Sequence, residues 1–104
     1  MNFDINATIQ QMLNAMKTEA AGDWSKIKDT SNSFLQGHKQ RLQLLANQRL
    51  HNEIDDDFLK ERLKDEQDIL EAEFVCEKLL VKSSAQQVIN AAFAVLEDTI
   101  TNLL

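Results

Sequence analysis

His38 lies on an apolar stripe of this chain, and the groups that would give it chemistry are carboxylates in the other half of the sequence. Folding the chain back on itself about residue 53 sets position i opposite roughly 106 − i. That register brings His38 near Gln67, with Glu66 and Glu73 along the same side of the second half. An imidazole and two carboxylates inside a helical protein are the donor types of a metal centre. Di-iron carboxylate bundles, however, use a Glu-x-x-His motif, and here Leu35 precedes His38 by three and Gln48 precedes His51. The simpler reading makes His38 a partly buried stripe residue bonded to Gln67 or Asp68, with the glutamates solvated. No metal or other cofactor is expected; His38, Glu66 and Glu73 are the residues that would hold one.

Other reactive patterns fail at particular residues. Asp55-x-Asp57-x-Leu59 starts like a calcium loop, but its fifth position is Leu59 and its sixth is Lys60 rather than glycine. Cys76 is the single cysteine, which excludes an intramolecular disulfide and a thiolate metal framework. Its acidic neighbours Glu73 and Glu77 disfavour the thiolate, and its helical, apolar setting reads as a small core residue. There is no Gly-x-Ser-x-Gly elbow and no phosphate-cradling glycine loop. The chain is read as a non-enzyme.

The 104 residues make one domain, 43% hydrophobic and 27% charged, with no proline and glycine only at Gly22 and Gly37. So little turn punctuation, joined to so much apolar content, means helix. The N-terminus lacks the basic and apolar regions of a signal peptide, and the longest apolar region, Ala85 to Leu96, is too short to span a bilayer. With the lone cysteine, these features point to the cytoplasm. A net charge of −6 argues against nucleic acid as a partner.

Two stripes organise the helices. Ile9, Leu13, Met16, Ala20, Trp24, Ile27, Ser31, Phe34, His38, Leu42, Leu45 and Arg49 advance by three or four, keeping one helical face over that whole stretch. The spacing predicts a helix over about residues 5–50 with a kink near Gly22, where Asp23 is a candidate cap. The pattern stops at residues 51–55. Asp55 is placed to cap a second helix, with Ile54 and Leu59 as its hydrophobic staple and Asp56 and Asp57 in the dipole-favoured first turn. A second stripe, from Leu63 through Leu70, Phe74, Val81, Val88 and Val95 to Leu103, predicts a helix over about residues 56–103. Ser83-Ser84-Ala85-Gln86 reads as a capping box and marks a kink near 83.

The fold class is therefore all-α: a long antiparallel helical hairpin assembled as a four-helix bundle, by dimerisation or by bending at Gly22 and Ser83-Ser84. Residues His51–Glu77 carry eleven acidic and three basic side chains, and Lys17–Arg49 carry six basic and three acidic, so antiparallel docking sets opposite charges side by side. An unbent helix of that length would run roughly 70 Å, and two such helices leave apolar surface uncovered. Pairing of two hairpins as a homodimer is the preferred solution. Ile9, Met12, Met16, Trp24, Phe34, Val88, Phe93 and Leu96 are the expected interface, toward a second copy or a partner helical protein. The functional expectation is a helical interaction or assembly module. The alternatives are a helical protein binding a metal or small ligand in its interior, and an acidic inhibitor or nucleic-acid mimic binding a basic protein.

Overall fold

The computed structural model describes residues 3–104, and among them every regular element is helical. Helix α1 spans Ile5–Ala20 and starts where the Asp4 carboxylate accepts from the Ala7 N–H at 3.1 Å. A single 3-10 turn, Ala21–Asp23, follows. Helices α2 (Trp24–Gly37) and α3 (Lys39–Leu50) run almost as one rod. The His38 N–H reaches the Phe34 carbonyl and the Leu42 N–H reaches that of His38, so the i→i−4 ladder passes through the junction. Helices α4 (Asp56–Cys76) and α5 (Lys82–Leu103) complete the chain.

The turn between α3 and α4 is built from local chemistry. Asn52 adopts a left-handed conformation at φ 59°, and the Glu53 N–H closes back on the Gln48 carbonyl at 2.8 Å, a Schellman stop. Asp55 then caps α4, its carboxylate accepting from the Phe58 N–H at 2.8 Å. Ile54 packs on the core from the position before the cap, and Leu59 is buried. Arg49 ties the two helices, its Nε donating to Asp56 at 2.7 Å. That hydrogen bond holds the exposed Asp56 carboxyl below its ordinary range, against an opposing desolvation. A depressed folded pKa stabilises fully above the unfolded value, and the contribution fades as pH falls through the folded one. Asp56→Asn is therefore expected to lower Tm slightly at neutral pH and to match the wild type in strong acid. A gap that persists unchanged to low pH would show that the Arg49 contact is not its origin.

The breaks fall differently from the sequence expectation. Near Gly22 the residue that leaves the helix is Ala21, at φ 50° and ψ −117°, whereas Gly22 has no positive φ. Asp23 makes no capping hydrogen bond and instead pairs with Lys26 at 3.2 Å. In the second half the stop is not at Ser83-Ser84, which lie inside the first turn of α5. It comes at Lys78, left-handed at φ 58°, where the Leu79 N–H bonds the Phe74 carbonyl at 2.9 Å. Leu80 is thereby buried, and α5 starts after an extended Val81 without a side-chain cap.

Both breaks fold the chain back, so its longest dimension is 39 Å and its radius of gyration 13.3 Å, the size of a closed single chain of this length. The roughly 70 Å rod of an unbent hairpin is absent. Helix α1 packs most extensively on α5, and α5 in turn on α4. Ala85 and Ala92 on α5 are fully buried beside Phe93 and Leu96, small residues alternating with large ones.

Candidate functional site

The residues expected at an interface lie elsewhere. Ile9, Met12, Met16, Phe34, Val88, Phe93 and Leu96 are all buried in this chain's own core, and Trp24 is half-buried against it. The reason is the bend at residues 21–23, which lays α1 over the apolar circumference of α5 that a two-helix hairpin leaves bare. Within one copy of the chain this set is therefore covered by the chain itself, Trp24 only in part.

His38 and Glu66 do meet. The imidazole stacks on Phe34, with ring centroids 4.0 Å apart and planes 17° from parallel. Its Nδ1 lies 2.6 Å from Glu66 Oε2, while Arg41 Nη1 approaches Oε1 at 3.4 Å. The Glu66 side chain is 1% exposed and Arg41 is 67% exposed, so a buried carboxylate is tethered to solvent through one guanidinium. The His38 contact is close but not in line, and Oε2 has no well-aligned donor. Arg49–Asp56, His38–Glu66 and Thr30–Glu77 (3.3 Å) each fall within two residues of the register obtained by folding at residue 53.

Glu73 does not join this pair. It stands seven residues along α4 from Glu66, about 10 Å by helical rise, too far to share one ion. It lines an open groove of about 430 Å³ with Asp29, Thr30, Ser33, Phe34, Gly37, His38 and Glu77. Among the described residues no group of three or more His, Cys, Asp or Glu side chains is placed to hold a metal ion. His38, Glu66 and Glu73 therefore do not assemble as a ligand set.

The surface feature that the stripe analysis missed is the outward side of α4. Leu59, Leu63, Glu66, Leu70 and Phe74 turn this helix inward. On its far side Ile69, Ala72, Val75 and Cys76 are all exposed, at spacings of three, three and one that keep them within one broad face. Cys76 belongs to this face and not to the core, because it shares the side of Ile69 and Ala72 rather than that of Leu70 and Phe74. Phe58, one end of the same side, is 43% exposed beneath the Arg62 guanidinium, and Val81 beyond the helix is 68% exposed. Asp65, Asp68 and Glu73 border the apolar positions, and the helix as a whole carries eight acidic and three basic residues. The signal in the sequence was Ile69, an apolar residue one position off the core stripe on a helix that already had a full one.

Among the described residues no helix is long and apolar enough to cross a membrane. No family model matches this chain, and no curated protein or solved structure matches it either.

Proposed function

We propose that this chain is a non-enzymatic interaction module that seats an amphipathic helix of another protein, apolar along one side and flanked by Lys or Arg, on the outward face of α4. The observation that carries this reading is the set Ile69, Ala72, Val75 and Cys76, exposed together on the most acidic helix while the core is complete without them. An apolar strip of this length suits a helix-in-groove contact with anchors at helical spacing. The acidic border selects the charge of the partner. A second copy docked face to face would set α4 against α4, each with an excess of five negative charges, and like charges in register oppose that pairing.

Cys76 gives a direct assay, being the single cysteine and lying on the face. A synthetic leucine–lysine amphipathic helix is expected to slow alkylation of Cys76, and added salt to restore the rate. Ile69→Glu adds negative charge but removes the apolar anchor; it is expected to weaken the peptide roughly tenfold, equivalent to about 1.4 kcal/mol. Leu44→Glu, an exposed leucine on α3, serves as the control and is expected to leave affinity unchanged. Equal affinity for both variants, or equal binding of a lysine-rich peptide with no apolar face, would reduce the face to bulk electrostatics and sink the proposal.

A further inference from the structure

The Ala21–Asp23 turn is held less firmly than the turn before α5. Ala21 sits at φ 50° and ψ −117°, a conformation that suits glycine and strains any residue with a Cβ. Straightening would place Ala21 in the helical conformation, for which alanine is the best residue. Its first two residues are unsupported: Ala21 and Gly22 are exposed, and a Cβ on Gly22 would meet no atom within 4 Å. The turn is closed by backbone bonds from Ala21 N–H to Lys17 and from Trp24 N–H to Ala21. The second joint is different, since Leu80 is buried and a Schellman pair of hydrogen bonds locks Lys78 and Leu79.

The apolar phase also runs unbroken across the first joint, from Ile9, Met12 and Met16 to Ile27 and Phe34. A helix straightened through residues 21–23 keeps all of these on one side. We propose that α1 is an exchangeable element: it swings out about Ala21–Asp23, α1 and α2 become one helix, and α1 takes its place on α5 of a second copy while receiving that copy's α1 in return. Nearly every contact α1 makes within one chain is remade between two, and two strained turns are released. The occupant of the α1 seat in the dimer is thus a second copy of this chain, through its Ile9, Met12 and Met16. This is independent of the α4 face, which stays outward in both forms.

Substitutions at Ala21 test the exchange without touching the core. Ala21→Gly relaxes the bent turn and weakens the straight helix; Ala21→Val worsens the bent turn and is accepted by the straight one. Each is expected to change the hinge equilibrium by about tenfold, and because two hinges open per dimer, the dimerisation constant by about a hundredfold, in opposite directions. Light scattering after refolding at the highest attainable concentration should show wild type partly at twice the chain mass, Ala21→Val more so, and Ala21→Gly as monomer. The dimer should persist for minutes or longer on dilution, since leaving it requires α1 to unpack. Should Ala21→Val not fold, insertion of three glycines after Gly22 is the second variant: it removes the strain and must abolish the wild-type dimer. Identical masses for wild type and the glycine variants, or a dimer that dissociates within mixing time, overturn the proposal.

Discussion

Phe93→Ala is expected to lower the unfolding free energy by about 3–5 kcal/mol, the range for truncating a fully buried aromatic. The side chain is 1% exposed, on the element that contacts both α1 and α4. A domain of this length has about 5–15 kcal/mol in total, so the variant sits near the edge of folding. Urea titration at low micromolar concentration checks it, and the concentration dependence matters as much as the size. If Phe93 completes a single-chain core, the midpoints of wild type and variant do not move with protein concentration in that dilute range. An interface residue would behave otherwise, with midpoints rising as concentration rises. Phe58→Ala is the contrast: half-exposed, with a cation–π contact to Arg62, it should cost under about 1 kcal/mol. Comparable losses for the two phenylalanines would mean that α5 is not where the core lies.

How much of this was readable depends on whether a feature is set by neighbours in sequence or by distant ones. The α3–α4 turn was readable because Ile54, Asp55 and Leu59 each act on residues within a turn or two. The helical stripes were readable for the same reason, and they fixed the register that brings His38 to Glu66. The position of the second break was not. Lys78 gives no local signal for a left-handed stop; it takes that conformation because the chain must turn there for Leu80 to reach the core. The serines at 83 and 84 offered a stronger local signal, and tertiary packing overrode it.

The same distinction explains why the residues expected at an interface lie in this chain's own core. A stripe too wide for a two-helix contact shows that more apolar surface needs cover, but not whether that cover comes from the same chain or another. The choice rests on the bend at Ala21, a residue whose identity argues for a continuous helix. Once α1 folds over α5, the broad stripe is internal, and exposed apolar positions remain on the outward side of α4 at Ile69, Ala72, Val75 and Cys76. Cys76 moved with it: its type suggests burial, and its position on the helix decides otherwise.

Glu66 is the buried charge that the fold must tolerate, and its removal should reveal a cost. A carboxylate 1% exposed among Leu63, Leu70 and Phe74 is tolerable only while paired. His38→Phe keeps a ring to stack on Phe34 and removes the nitrogen facing Oε2; it is expected to destabilise by about 1–3 kcal/mol. Glu66→Met fills similar volume without charge and is expected to be neutral or stabilising, by up to about 4 kcal/mol. The double variant decides the cause. With Met at 66 the ring nitrogen has nothing to serve, so His38→Phe should there cost less by at least about 1 kcal/mol, a coupling that chemical denaturation resolves. If the histidine substitution costs the same with either residue at 66, the 2.6 Å contact contributes nothing. The loss would then belong to ring packing on Phe34, and Glu66 would owe its tolerance to Arg41 alone.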